Sequence, residues 1–423
     1  MDQKDIFALA LDLQGTPWYV SDIELDEAHQ RLNIHLDFPP FSRFAHPESG
    51  EMLPVYDTLP RSWRHQNFFQ YECYVHAFVP RVDVGPEGGK VKQVEVPWAR
   101  SQSGFTGMME AMVMLLVQTG MTVKEAARTL GEYPQRIWTL LFYHVDKAFQ
   151  KMPLEGVVSL SVDELSKRRG HSYVSIFSEP AKPGQKARVL WVTAGRDSEV
   201  IGRFWEFLKS RGIDPKQIQT LCTDMNPAYI KGLKEKFPWA KIVFDYFHVV
   251  QLVTQAVDEV RRRERQSFPA LLKGTRWLFL KGEEKLRPQE LKQRQQLCRG
   301  KLHTGRACSH LEALRDIMKQ PDPPAAESDL KWWCGWLARS RIPEMKAVAK
   351  TVRNHWEGIV EYLKTRITNG AAEALNGIIQ TVKRKSRGFR SFEYFQAMIY
   401  LVASRLTFDH LPVPVPATHT KSY

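Results

Sequence analysis

Cysteine is scarce in this chain: five in 423 residues, at positions 73, 222, 298, 308 and 334, with no Cys-x-x-Cys pair. That excludes a disulfide scaffold and the common zinc modules, and it fits a reducing compartment. Long apolar runs are missing too. The longest, Met108 to Val117, falls far short of the roughly 20 residues that span a bilayer, so no integral membrane protein is expected. The chain start carries Asp2, Asp5 and Asp12 in place of a basic stretch and an apolar run, and no secretory leader is expected. No internal repeat or low-complexity tract occurs, and the tail LPVPVPATHTKSY should be frayed. Acid is in deficit: 60 Lys and Arg face 47 Asp and Glu, a net charge of +13. With 43% hydrophobic residues the composition is globular and long enough for two or three cores. Its charge points to a polyanionic partner, foremost nucleic acid.

Residues 17–38 alternate apolar and polar, which predicts a β-hairpin. Residues 41–100 mix short strands with turns, the loop VGPEGGK (84–90) among them. Trp63, Phe68, Phe69, Tyr71, Tyr74 and Phe78 are expected to form a small aromatic core there rather than a base-stacking platform. From residue 104 the spacing turns helical, and MTVKEAARTLGEYPQRIWTLLFYHV (121–145) has the outline of a helix-turn-helix. Thr122 and Glu125 fit a capping box. Val123, Ala126, Ala127 and Leu130 form an inner face, Gly131 supplies the turn, and Ile137, Leu140 and Leu141 face inward from the second helix. Lys124, Gln135, Arg136 and Thr139 are left outside, suited to phosphates or a major-groove edge. An ordinary helical hairpin would show the same pattern.

An α/β block follows. Strands are expected at 157–165, 172–179 and 187–195, close enough in sequence for an antiparallel meander. A helix with Val200, Ile201, Phe204, Phe207 and Leu208 on one face comes next, then a strand (218–224), a helix (about 226–236) and a strand (241–245). That is the ribonuclease-H-like order of elements. Residues 247–350 read as mostly helical, with the basic run RRRERQ (261–266). Arg261, Arg262 and Arg263 suit DNA, although a solvated charged helix fits nearly as well. The stripe of Trp332, Trp333 and Trp336 reads as core.

Asp163 and Asp224 are expected at the ends of two neighbouring strands, where they would converge at one sheet edge. Like charges held together need a cation, and hard oxygen ligands at a polyanion site point to magnesium. Aspartates after strands also serve as turn formers and helix caps, and Asp224 before Asn226-Pro227 could be one. The segment 368–388 reads as one amphipathic helix, with Leu375, Ile378, Ile379 and Val382 facing a core. Glu373 falls on the opposite stripe with Asn376, Gln380, Lys383, Arg384 and Arg387. Glu373 is the only acid from 371 to 390, against Lys383, Arg384, Lys385, Arg387 and Arg390. That suits a metal ligand beside a phosphate track about 20 Å long. A solvent-facing helix with an acid favoured by its dipole would look the same.

Taken together these residues resemble the DDE transposases of the bacterial insertion-sequence family called ISL-three. The shared motifs are SVDEL (161–165), GHSY (170–173), AGR (194–196), TDMNPAY (223–229), FDYFHVV (244–250), TNGAAEALN (368–376) and KRKSRGFRSFEYF (383–395). WRH (63–65), PRV (80–82), VPWA (96–99) and FT (105–106) extend the likeness to the N-terminal half. The resemblance implies an acidic triad of Asp163, Asp224 and Glu373 holding two Mg²⁺ or Mn²⁺ ions, with separations of 61 and 149 residues. Asp245 and His248 form a D-x-x-H pair similar to one in Mutator-like relatives, implying a supporting or scissile-phosphate contact; Asp245 could instead cap a helix with His248 on its first turn. Glu164 should point to the other sheet face. The family usually carries a zinc ribbon, but His46 and Ser49 stand where a Cys pair belongs, and Val84 and Gly88 where the later Cys and His belong. No zinc is expected in that module. Cys298, His303, Cys308 and His310 have metal-capable side chains at an unfamiliar spacing.

The expected organisation is an α+β and α/β multidomain chain. Its parts are a β-rich module (1–100), a helix-turn-helix (101–150), a ribonuclease-H-like core (155–250 with 351–408), a helical insertion (251–350) and a flexible tail (409–423). The implied activity is binding of terminal inverted repeats, followed by metal-dependent DNA cleavage and strand transfer. The implied partners are double-stranded DNA and at least one further copy of the chain, in a bacterial cytoplasm, with no membrane and no small-molecule substrate. The alternatives are a structure-selective nuclease on the same fold and a domesticated, non-catalytic DNA-binding protein.

Overall fold

The computed structural model describes residues 2–83, 91–168, 172–182, 184–367 and 370–412. The loop 84–90 with Val84 and Gly88, residues 170 and 171 of GHSY, 368 and 369 of TNGAAEALN, and the tail from 413 lie outside the described residues. The chain divides into two compact units, Met1–Met152 with Thr381–Tyr423, and Pro153–Gln380. Among the described residues no helix is long and apolar enough to cross a membrane.

In the first unit helix α1 (Gln3–Ala10) precedes the expected hairpin, β1 (Tyr19–Asp26) and β2 (Arg31–Asp37). A small hairpin, β3 (Arg43–Ala45) and β4 (Met52–Pro54), leads to β5 (Asp57–Arg64), β6 (Glu72–Val82) and β7 (Lys92–Gln93). The larger sheet runs β1-β2-β6-β5, with β7 on β6. Its core differs from the expected one. Strand periodicity turns Cys73, Val75, Ala77 and Val79 of β6 inward, so Phe78 faces out and is 63% exposed. Phe69 is 81% exposed. The buried aromatics are Trp18, Phe44, Trp63 and Trp98, with Trp18 and Trp98 edge-to-face at 4.9 Å. His46 is buried in the β3–β4 turn, where its Nδ1 accepts the N–H groups of Glu48 and Ser49. Three helices follow: α2 (Gly107–Gln118), α3 (Val123–Leu130) and α4 (Pro134–Gln150).

In the second unit β8 (Ser159–Arg168), β9 (Ser172–Glu179) and β10 (Arg188–Ala194) form the antiparallel meander. Then come α5 (Glu199–Ser210), β11 (Thr220–Thr223), α6 (Pro227–Lys236), β12 (Lys241–Phe244) and α7 (Tyr246–Ser267). The sheet order is β10-β9-β8-β11-β12, with β8, β11 and β12 mutually parallel. Helices α8 (Pro269–Leu272), α9 (Arg276–Leu280), α10 (Pro288–Arg299), α11 (His303–Lys319), α12 (Pro323–Arg339), α13 (Pro343–Asn354) and α14 (Trp356–Thr365) follow. They share one apolar core with β12 and α7, through Val243, Val253, Leu311, Trp333, Val348 and Ile359. Of the tryptophan stripe only Trp333 is fully buried; Trp332 is 62% exposed. Gly358 lets α14 lie against β12, since a Cβ there would sit 2.4 Å from the Phe244 ring.

Helix α15 (Gly370–Lys385) carries Glu373 in the second unit, and its last turn is grouped with the first. Helix α16 (Phe392–Ala403) packs on α4, with Tyr400 stacked on Phe149 at 4.1 Å. Residues 381–408, expected with the catalytic core, therefore go with the first unit. The apolar face of α16 is what draws them there: Phe395, Met398, Ile399 and Leu401 are buried.

Candidate active site

Parallel pairing sets a row of acids at one sheet edge. Val162 pairs with Thr223, and Thr223 with Phe244. The next residues in that register are Asp163, Asp224 and Asp245, on strands roughly 4.8 Å apart. Asp163 does not end its strand as expected: β8 runs five residues further, pairing only with β9. Asp224 follows the last paired residue of β11 and accepts the N–H of Asn226 at 3.1 Å. Asp245 is buried and caps α7 by accepting the N–H of Phe247 at 3.3 Å.

Helix α15 brings the fourth acid. Asn376 donates from Nδ2 to Asp163 Oδ2 at 2.7 Å, and Glu373 lies one turn earlier on the same helix face. Asp163 Oδ1 accepts the N–H of Glu164 at 2.7 Å. Among the described residues, the donor atoms of Asp245, His248 and Glu373 lie within 4.8 Å of one another. This group shares only Glu373 with the expected triad. His248 joins the two sets, since its charge acts on both Asp163 and Glu373.

Burial, with help from the charge of Asp224, pushes the Asp163 carboxyl up to about 6 against the Glu164 N–H, His248 and Asn376. Burial also raises Glu373, with Asp245 adding to the effect. Glu164 pairs in register with Ser175, on the face opposite Asp163, as expected. Burial raises it as well, and Arg196 at 4.0 Å opposes that rise. A bound cation would favour the charged forms of Asp163 and Glu373 and offset the burial that raises both. Hard carboxylate oxygens with one imidazole fit a divalent metal.

The helix-turn-helix has the expected local chemistry. Thr122 and Glu125 form the capping box, and Gly131 takes the left-handed conformation at φ 69°. The inner-face residues are buried, and Gln135 and Arg136 are exposed. What sequence reasoning missed is Arg64, in the WRH motif. It is buried, donates to Leu130 O at 3.1 Å and lies 3.7 Å from Glu132, so it grips the turn between α3 and α4 from the β module. Its neighbour His65 bonds Thr106 Oγ1 at 2.7 Å. A likewise unforeseen link joins TDMNPAY to AGR: the buried Tyr229 hydroxyl bonds Ser175 Oγ, which donates to Gly195 O.

Some expected DNA contacts are otherwise engaged. Arg261 is buried and donates Nε and Nη2 to Asp258, because the helix period turns it inward from α7. Arg262 lies 3.5 Å from the same carboxylate, and Arg263 3.1 Å from Glu344. Arg136 pairs with Glu132 at 2.7 Å and covers the Phe105 ring. Asn376 serves Asp163. Lys124, Lys385, Arg387 and Arg390 are exposed, while Lys383 is half-buried and Arg384 reaches Thr381 at 3.4 Å. Cys308 and His310 are buried in the helical core, where burial holds the His310 imidazole down at about 4.

A paired-acid edge in one unit and a helix-turn-helix in the other are the parts of a DNA-processing enzyme, and the comparisons with known proteins agree. A family model described as transposase matches residues 160–399. A model for the helix-turn-helix domain of transposase family ISL3 matches 94–145. The chain belongs to the ISL3 family of transposases: DNA-binding proteins whose family implies DNA cleavage and strand transfer. It is similar to the transposase for insertion sequence element IS1001 of Bordetella parapertussis, 25% identical over 353 residues, covering 81% of this chain and 84% of the relative. It is similar also to the transposase for insertion sequence element IS1557 of Mycobacterium tuberculosis strain H37Rv, 26% identical over 392 residues, covering 85% and 84%. Among solved structures, the Drosophila P element transposase strand transfer complex aligns at a TM-score of 0.39 and 10% identity, over 70% of this chain and 92% of that one.

Proposed function

We propose that residues 155–250 with 351–380 form a ribonuclease-H-like core, interrupted by the helical insertion 251–350, that nicks the ends of the chain's own insertion sequence and joins them to target DNA. The strand order β10-β9-β8-β11-β12 supports the fold reading. The observation that carries the function is the row of Asp163, Asp224 and Asp245, to which α15 adds Glu373 through the Asn376–Asp163 bond. Two Mg²⁺ or Mn²⁺ ions held by Asp163, Asp224 and Glu373 would neutralise the scissile phosphate and lower the pKa of the attacking hydroxyl.

The chain's own residues set the geometry. The Glu164 N–H and Asn376 each hold one oxygen of Asp163, which fixes the plane of its carboxylate. Asp245 starts α7 and so holds His248 on the first turn, beside Glu373. There His248 serves as a further ligand or as a donor to a phosphate oxygen. The hydroxyl attacks the phosphate directly, so no serine or tyrosine nucleophile is needed. The helix-turn-helix reads the terminal inverted repeats, steadied by the β module through Arg64, and pairing two ends requires a dimer or larger assembly.

A strand-transfer assay tests this reading. Purified protein, paired oligonucleotide duplexes bearing the two ends, and a plasmid target are incubated with Mg²⁺. Nicking at the ends followed by covalent joining is expected. Cutting without joining would make the chain a nuclease, and end binding without cutting would make it a non-catalytic DNA-binding protein.

A further inference from the structure

In the first unit the helix-turn-helix and the basic turn at 385–390 are two walls of one cleft. The cleft measures about 640 Å³. One wall is the start of α3 with the start of α4; the other is the Lys385–Arg390 turn and the first residues of α16. Lys124 and Arg128 project from the first wall, and Lys385, Arg387 and Arg390 from the second. All five are exposed. The lining acid, Glu125, is committed to the Thr122 capping box. Helix α4 opens into the cleft with no side-chain cap on its first turn, so the N-terminal dipole adds to the same field.

The second wall is fixed. Gly388 N–H closes onto Lys383 O at 2.9 Å and ends α15 in a hydrogen-bonded turn. Lys385 Nζ donates to Gly120 O at 3.4 Å. Tyr394 packs edge-on against Trp138 at 4.5 Å, and Phe389 stacks on Phe395, which is 1% exposed. Moving this wall away would uncover those rings. Tyr394 also donates its hydroxyl to Gln135 Oε1 at 3.3 Å, so the first-turn side chain expected to read bases is oriented from across the cleft.

We propose that the helix-turn-helix and the Lys385–Arg390 turn form a single duplex-DNA site, in which one phosphate backbone lies between Lys124 and Arg128 on one side and Arg387 and Arg390 on the other. Phosphates suit this cleft because cations converge on it from two directions while its apolar floor holds them apart. Gln135, tethered by Tyr394, then meets the base edges beside that backbone. The inference rests on the transposase reading and specifies how its ends are held.

The test is fluorescence anisotropy with the full chain and a labelled duplex bearing one terminal repeat, measured over a range of KCl. R387Q and R390Q are each expected to weaken binding about tenfold and to lower the salt slope by about 0.9, as K124Q and R128Q do. Thermal melts check that each variant is folded, and the exposed positions make that the expected result. Crosslinkers placed at 124 and at 387 should mark the same strand within a few nucleotides. Wild-type affinity and slope in R387Q and R390Q, with loss in K124Q and R128Q, would leave the helix-turn-helix acting alone and overturn the proposal. Tighter binding by Y394A would make the second wall a shutter and overturn it too. If the wild-type chain binds no terminal-repeat duplex at all, the end-binding reading itself fails along with it.

Discussion

The two units concentrate opposite charge by different routes. In the second unit, acids from four separate stretches of chain meet because parallel strands share a register and α15 returns to Asp163. In the first, cations from two stretches face one another because aromatic packing fixes the 385–394 segment beside the helix-turn-helix. The acidic edge depends on backbone register, which a single substitution does not shift. The basic cleft depends on side-chain packing, and each of its charges can be removed almost independently. Removing one acid should therefore abolish an activity, whereas removing one cation should only scale an affinity.

The largest contrast should come from D224A. Strand cleavage is expected to fall on the order of 10³-fold or more, while affinity for the end duplex stays within about twofold. Gel assays of cutting and of binding on one preparation check both halves. Equal loss of the two would erase the distinction between the units.

A packing change should separate their stabilities. G358A places a methyl group against the Phe244 ring and 3.1 Å from Ile242 O. It should destabilise the second unit by about 1–3 kcal/mol and leave the first unchanged, as read by urea unfolding with tryptophans specific to each.

Acid should weaken the first unit, while in the second unit Asp163 and His310 respond in opposite senses. Burial, with the Arg64 charge, holds His65 down at about 4 in the folded chain. Its contribution to stability is complete above the unfolded value of 6.5 and is lost as pH falls from there towards 4. Asp163 is raised from 3.8 to about 6. In metal-free protein its charge therefore costs stability above that range, and the cost shrinks as pH falls. Between pH 7 and 5 the first unit should lose about 2 kcal/mol through His65, whereas in the second a gain of about 1–2 kcal/mol at Asp163 is opposed by a loss of about 2 kcal/mol at the buried His310, held at about 4. Hydrogen exchange in β6 and β8, corrected for the intrinsic pH dependence, measures the two separately. D163N should remove the gain in β8.

The smallest effect is at a cap. T122A breaks the capping box at the cleft mouth and should cost about 1 kcal/mol of stability, seen as a small fall in melting temperature.

How much of this was legible in the sequence follows the same division. Local signals carried the helix-turn-helix: the Thr122–Glu125 box, Gly131 and the 3.6 period act within a few residues. The strand–helix order around Asp163 and Asp224 was readable for the same reason. Register was not readable, so Asp245 looked like a helix cap when it is also the third member of the row. Glu373 has no local spacing to the aspartates: its helix stripe left it either a metal ligand or a solvent-facing acid, and the likeness to a family joined it to Asp163 and Asp224. Asn376 lies on the polar stripe of its helix, but periodicity cannot tell whether such a stripe meets DNA or an acid. Arg261 shows the same limit: a run of three arginines looks solvated until the helix turns one of them onto Asp258. The aromatic module misled because composition was counted without the two-residue alternation that sends Phe78 outward.

The central claim is that Asp163, Asp224 and Glu373 serve the same ions. Fe²⁺ substituted for the native metal, with ascorbate and peroxide, cuts the backbone within reach of where it binds, and the fragments map its ligands. Cuts are expected beside 163, 224, 245 and 373 together, all of them lost in E373Q. Cuts near 245 and 373 alone, or a pattern in E373Q equal to that of the wild type, would contradict the claim.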